Sequence, residues 1–338
     1  MTQDFKTGQP FSRRSFCALA PAASAASVML AGCGGGSGSY LGQAQAAALT
    51  SGFVLDQSHT SVNQDSRIRS VILHYTALPL EESLRALTAE RTQVSAHYLV
   101  PEVGNAQGIH TIYQLVPEQR RAWHAGFSYW QGERMINSSS IGIEIVNTGY
   151  PTADEKLPAD QRHWAPFPSA QVEAVALLIK DIVGRHAIPP HRIVGHGDIA
   201  PGRKSDPGPL FPWSRLFAEF SLGAWPEADR VAFHRVQKAF NGDIGALQKK
   251  FLAYGYDAPA SGILDSQTRN VVTAFQMHFR PARCDGNPDI ETVAILDALL
   301  EKYFKASSAR SLEQLLPGEV WERGEKGLDF WPPAPLPM

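Results

Sequence analysis

A chain of 338 residues with 43% hydrophobic content can bury a substantial core and divide into two domains. Lys and Arg number 31 against 33 Asp and Glu, a formal net charge of −2, so no basic field calls for nucleic acid. With Cys17, Cys33 and Cys284 as the whole cysteine complement, a Cys-rich zinc site is excluded as well.

In chain order, Ser12-Arg13-Arg14-Ser15-Phe16 is a positive region holding twin arginines, followed by an Ala-rich, mildly apolar stretch to Gly32. This reads as a targeting segment, not fold. Pro21 and several serines interrupt it, which is poor for a permanent membrane span. Leu30-Ala31-Gly32-Cys33 resembles a lipoprotein signal: cleavage before Cys33, lipid on its sulfur, and Gly34-Gly35-Gly36-Ser37-Gly38 as a flexible tether. The expectation is a twin-arginine-type signal peptide over 1–32, then lipidated Cys33 and its tether over 33–66. The product would be a periplasm-facing lipoprotein, held to the membrane through its lipid anchor. Gly34 in place of an aspartate favours the outer membrane if the source is Gram-negative. Ordinary cleavage near Ala23 or Ala26, leaving Cys33 as a thiol, is the plainer alternative. If Cys17 leaves with the signal and Cys33 takes lipid, Cys284 has no disulfide partner.

The globular part begins at Arg67. Ser70-Val71-Ile72-Leu73 is an apolar, β-branched run closed by His74-Tyr75-Thr76. Leu80 to Arg91 reads as a helix with Leu84 and Leu87 on one face. His97 to Val100 and His110 to Val116 are strand-like, and Ala122-Trp123-His124-Ala125-Gly126 is a loop carrying an aromatic and an imidazole. In Ile141 to Asn147, alternation puts Ile141, Ile143 and Ile145 on one face and Gly142, Glu144 and Val146 on the other. A carboxylate in so apolar a strand is costly to bury unpaired. Glu144 is then either half of a structural ion pair or a general base. Ser169 can cap the next helix, whose stripe Val172, Val175, Ala176, Ile179, Ile182 and Val183 packs on a sheet. Strands alternating with helices indicate an α/β domain.

Arg192 to Val194 returns as a strand and empties into GHGDIAPGRKSDPGP, Gly195 to Pro209. The pairs Pro201-Gly202 and Pro207-Gly208 argue for a loop and against any helix between His196 and Asp206. His196 and Asp206 can fold back onto one metal ion, but a catalytic zinc takes three protein ligands and leaves a position for water. His74 also ends an apolar run, as a second imidazole converging from a neighbouring strand would. A packed, hydrogen-bonded His74 is the plain alternative.

His74 after Val71-Ile72-Leu73, Glu144 in IGIEIVN and the GHGDIAPGRKSDPGP loop together resemble the zinc-dependent type-2 N-acetylmuramoyl-L-alanine amidases. These share a fold with phage T7 lysozyme and the peptidoglycan recognition proteins, and the resemblance covers about Arg67 to Phe220. It implies a central mixed sheet flanked by helices over 67–222 and a single Zn2+ on His74, His196 and Asp206. Glu144 would be the acid/base, and Lys204 would face the substrate carbonyl. The alternative for Lys204 is a solvated surface residue. SAHYLV and AWHAG also resemble family segments. His97 and His124 receive no ligand role; Tyr75, Thr76 and His124 are candidate substrate contacts. Such a ligand set leaves zinc one positive charge and an open position, so water is acidified without a serine or cysteine nucleophile.

After Ser221 to Pro226, a helix over Ile244 to Leu252, Gly262-Ile263-Leu264-Asp265, Thr268 and Phe275-Gln276 resemble a small three-helix peptidoglycan-binding module. It is placed at 227–305, with a Pro-rich, unassigned tail over 306–338. The expectation is that this module binds glycan and that its deletion costs binding to sacculi alone, leaving cleavage of a soluble muropeptide nearly unchanged. If Leu247, Phe251 and Phe275 bury against the first domain, deletion unfolds it. The activity implied is hydrolysis of the amide between N-acetylmuramic acid and L-alanine, by a monomer acting on peptidoglycan or muropeptides. A non-catalytic recognition protein and a zinc peptidase acting on stem peptides are the competing readings.

Overall fold

The structure, a computed structural model, describes residues 58–237 and 240–304. The twin arginines, Cys33, most of the tether and the 306–338 tail lie outside the described residues. Among the described residues, no helix is long and apolar enough to cross a membrane.

Five strands form one mixed sheet in the order β3-β2-β4-β1-β5. β1 (Ser70–Tyr75) lies between β4 (Ser140–Ile145) and β5 (Ile193–Gly195), parallel to both. β2 (Tyr98–Val100) runs parallel to β4 and antiparallel to β3 (Tyr113–Gln114). Around the sheet come α1 (Leu80–Thr88), α2 (Ser169–His186), α3 (His196–Ile199) and α4 (Trp213–Phe220). The chain then becomes all helical: α5 (Ala228–Gln237), α6 (Ile244–Tyr254), α7 (Ser266–Phe279) and α8 (Ile290–Tyr303). An α/β sheet domain followed by an all-α segment is what the sequence predicts, with α5 added to the three expected helices.

Strand alternation divides the core in two. On one face Val71, Leu73, Ile141, Ile143 and Ile145 pack on the α2 stripe and on Trp213 and Leu216 of α4. On the other, Ile72 and Val194 join Trp130 and Ile199 in a cluster that continues into Leu247, Phe251, Tyr254, Tyr256 and Phe275. One core therefore runs from the sheet into the helical segment. Trp130 meets Tyr256 edge to face at 5.0 Å between ring centres and donates its indole N–H to His191 O at 3.1 Å. The backbone joins in, with Gln131 N donating to Gly255 O at 2.9 Å.

The expectation that the helical segment contributes binding alone does not survive this packing. Leu247, Phe251 and Phe275 are each at most 1% exposed and share their cluster with Ile72 of the sheet. Removing one such aromatic typically costs ~3–5 kcal/mol, and deletion would strip many at once. Truncation at residue 229 should therefore abolish cooperative thermal melting of the sheet domain. A truncated chain that melts cooperatively near the full-length temperature would show the two parts to be independent.

Local expectations are revised in four places, the first being the strand expected over 110–116, which pairs only at Tyr113–Gln114. The helix expected over 80–91 stops at Thr88, because Ala89 is extended (φ −82°, ψ 131°) and Glu90–Thr92 forms a separate 3-10 turn. Ser169 does not cap α2: Pro168 holds the cap position, and the Ser169 hydroxyl accepts from Arg215 Nη1 at 2.9 Å. The Pro-Gly pairs do not exclude helix after His196 either. α3 makes a single turn, closed by Ala200 N donating to His196 O at 3.0 Å, before Pro201 bars its continuation. Elsewhere the local signals hold. Asp243, Asp265 and Asp289 cap α6, α7 and α8 by accepting the N–H three residues on, at 2.9, 2.7 and 2.9 Å.

Candidate active site

His74 is the last residue but one of β1 and Glu144 of β4, and the two are direct neighbours in register. Both side chains stand on the sheet face that also carries Ile72. β5 ends at Gly195 and hands the chain to α3, whose first residue is His196. The loop then doubles back so that Asp206 O accepts from Gly197 N at 2.8 Å. His74, His196 and Asp206 meet there, 1%, 4% and 8% exposed.

Three atoms converge. His74 Nδ1 lies 2.9 Å from His196 Nδ1 and 3.0 Å from Asp206 Oδ2, and His196 Nδ1 lies 3.1 Å from the same oxygen. The outer nitrogens settle what these atoms present. His196 Nε2 faces Ala125 O at 3.2 Å, an acceptor only, so it donates. Arg203 Nη2 is 3.2 Å from that nitrogen, but its two hydrogens go to Ala125 O and Phe127 O at 2.7 and 2.8 Å. His74 Nε2 faces His124 Nδ1 at 3.0 Å. His124 Nε2 in turn faces Ser140 Oγ at 3.2 Å, and that hydroxyl donates to Ile136 O. The chain of donors runs His74 to His124 to Ser140 to Ile136. As neutral rings, His74 and His196 therefore aim lone pairs at the same point as the Asp206 oxygen. Three lone pairs at ~3 Å repel unless a cation sits among them. Two imidazoles and one carboxylate are also the donors, at a fitting spacing, for an ion with ligand distances of about 2.0–2.2 Å. Among the described residues this is the His/Asp group that can hold a metal.

Electrostatics agree with that reading. Burial, then neighbouring His196, pushes the His74 pKa down to about 4, with Asp206 opposing in part. Burial alone would raise Asp206, but when either ring carries a proton at Nδ1 the charge and hydrogen bonds of His196 and His74 hold it below the usual carboxylate range, the part a cation takes when both rings are neutral. Burial, reinforced by the Asp206 charge and opposed by Lys204, raises Glu144 to about 8. Its Oε2 is shut from solvent and has no hydrogen-bond partner. A carboxyl oxygen shut from solvent without a partner is costly, and here half-buried Glu144 borders a cavity of about 450 Å3 that Tyr75, Thr76, Trp123, His124 and Lys204 also line. Glu144 is thus not half of an ion pair among the described residues. Lys204 is exposed on its outer side and faces the cavity with the other.

Two candidate contacts read differently in place. The Thr76 hydroxyl donates to Leu78 O at 2.7 Å and accepts Leu78 N, which caps the turn into α1. His124 has both ring nitrogens engaged, so it offers a substrate no free hydrogen bond and instead supports His74. A Cβ at Gly142 would lie 2.4 Å from the His124 ring, so glycine is what admits that ring beneath the sheet. His97, as expected, lends support: its Nδ1 accepts from Gly142 N at 3.0 Å. Asn137, whose Oδ1 accepts from the backbone of His124 and Ala125, carries no signal in the sequence.

Residues 64–209 match the family described as N-acetylmuramoyl-L-alanine amidase, and residues 241–296 a peptidoglycan binding domain family. N-acetylmuramoyl-L-alanine amidase AmiD of Escherichia coli is 44% identical over 282 residues, covering 82% of this chain and 96% of that protein. Its solved complex with anhydro-N-acetylmuramic acid-L-Ala-D-gamma-Glu-L-Lys superposes with a TM-score of 0.68, over 75% of this chain and 96% of that one. AmpDh3 of Pseudomonas aeruginosa, solved with an anhydromuramic pentapeptide, is 39% identical with a TM-score of 0.66, over 74% of this chain and 98% of that one.

Proposed function

This chain belongs to the N-acetylmuramoyl-L-alanine amidase family, and from that premise we propose how its own residues cut the amide between N-acetylmuramic acid and L-alanine. The substrates are (anhydro)muropeptides released in cell-wall turnover, as the ligands of the AmiD and AmpDh3 complexes suggest. A single zinc ion would be held by His74, His196 and Asp206, whose inward atoms converge. The observation that carries this is the convergence of three lone pairs beside a carboxyl oxygen that has no partner.

Zinc bound there supplies a Lewis acid that polarises the amide carbonyl and acidifies a water. The chain does the rest. The Glu144 carboxylate, which borders the cavity, takes a proton from the attacking water and returns it to the amide nitrogen, which leaves as the L-alanine amine. Lys204 Nζ meets the negative charge that grows on the carbonyl oxygen. His124 and Ala125 O hold the two imidazoles in the tautomers that face inward. A protein that only recognises peptidoglycan has no use for this acid/base, so the complete set favours catalysis.

Mass spectrometry of a muropeptide digest tests the reading. The expected products are an intact anhydro-sugar and a peptide with a free L-alanine amine. Cleavage confined to bonds within the stem peptide would establish a peptidase instead, and binding without cleavage a recognition protein.

The same proposal takes 1–32 as a twin-arginine signal, Cys33 as the lipid anchor, 67–222 as the zinc domain and 227–305 as a glycan-binding segment of a monomer. Cys33→Ser should move the protein from the membrane to the soluble fraction. Wild type found wholly soluble would remove the anchor.

A further inference from the structure

His196, Lys204 and Asp206 of the Gly195 to Pro209 stretch enter the mechanism above. The carboxylate of Asp198 does not. It is 3% exposed and does not line the cleft cavity. Its Oδ2 accepts from Gly195 N and from His278 Nδ1, each at 2.7 Å, and its Oδ1 accepts from the Tyr256 hydroxyl at 2.6 Å. His278 lies on α7, and Tyr256 follows α6. Both belong to the helical segment, and both are held rigidly. The His278 ring stacks between Trp213 and Phe279, 3.9 Å between centres on each side. Tyr256 is fully buried against Trp130 and Phe251 at 5.0 and 5.8 Å.

The position of Asp198 gives these contacts their meaning. It is the third residue of α3, and His196 is the first. A single helical turn has no stability of its own. This one is tied at its start by Gly195 N to Asp198 and at its side by Gly197 N to Asp206 O. The remaining ties to Asp198 come from His278 and Tyr256. Hydrogen bonds to a buried carboxylate are among the stronger ones, and losing one leaves its partner unsatisfied.

We infer that Asp198, His278 and Tyr256 form a clasp through which the helical segment positions His196 and Asp206. They are positioning residues: they act through α3 and touch neither substrate nor the reacting atoms. The inference rests on the metal-dependent amidase reading for its consequence, but not for its geometry.

The test uses the full-length protein with Tyr256→Phe, His278→Leu and His278→Asn. Three quantities are read: melting temperature, zinc affinity of the metal-stripped protein by chelator competition, and kcat and KM on a soluble anhydro-muropeptide. Tyr256→Phe and His278→Leu should weaken zinc binding by about tenfold, the low end of what losing a group bonded directly to a ligand costs, because they act through Asp198. The loss of rate should fall on kcat, with KM within about twofold by the same logic. His278→Asn, whose amide N–H can replace Nδ1–H, should restore most of both. Lower melting temperatures with unchanged zinc affinity and kcat would overturn the clasp and leave a purely structural contact. If His278→Leu does not fold, Tyr256→Phe decides alone, because it removes one hydroxyl and nothing else. A wild type that binds zinc yet cuts no muropeptide would sink the amidase reading, while the zinc affinities still judge the clasp.

Discussion

Asp206→Ala is expected to give a folded protein that neither retains zinc nor cleaves a muropeptide. Its carboxylate supplies the negative charge of the cluster, and its pKa lies below the usual carboxylate range in spite of its burial. Without it, two neutral imidazoles must hold a dication alone. Losing a partner behind a ligand costs about 10–100-fold in affinity, and losing the ligand itself should cost more. The fold should survive, because the tie from Gly197 N runs to the backbone oxygen of Asp206, which alanine keeps. Metal analysis after dialysis, a thermal melt and a digest decide the matter together. Stoichiometric zinc in the variant would take Asp206 out of the site.

Glu144→Gln should retain zinc and lose rate by about 10²–10⁴, the range for a general base. A stability signature accompanies it in the metal-free protein. A carboxyl raised from 4.5 to about 8 in the folded chain keeps its proton where the unfolded chain has lost it. The folded state therefore binds more protons between those two values, and stability falls as pH rises through that window. Glutamine has no proton to lose. The variant should match wild type near pH 4 and exceed it increasingly toward pH 8. Wild-type rate together with a wild-type stability profile would make Glu144 structural and put the base elsewhere.

The two carboxylates and two imidazoles were legible for different physical reasons. Glu144 stands out because period-2 alternation places one charge on an otherwise apolar strand, and His74 and His196 because each ends such a run. Asp206 could be placed only by spacing from His196 and by family resemblance. The roles of His124 and Asp198 were not legible. Both depend on which atoms face them across the fold, and nothing local marks His278, 80 residues from Asp198, as its partner. The α3 turn was missed because Pro201-Gly202 dominates any local reading, although a single turn fits in the four residues before Ala200. The shared core was missed for a related reason. Leu247, Phe251 and Phe275 have the spacing of any amphipathic helix, and spacing cannot say whether the apolar stripe meets its own module or another.

His74 and Glu144 sit side by side on adjacent parallel strands, so the gap between the metal corner and the acid/base is one strand spacing, about 4.8 Å between backbones. That separation is set by the peptide ladder, not by any loop. Insertions in the segments bearing Trp123 or α1 can reshape what the cleft admits while leaving the ladder untouched. A one-residue slip between β1 and β4 would do the opposite, turning one of the pair to the far face. Specificity in this scaffold is therefore free to drift over generations, whereas the distance between metal corner and acid/base is written into the pairing of two strands and changes only if the sheet does.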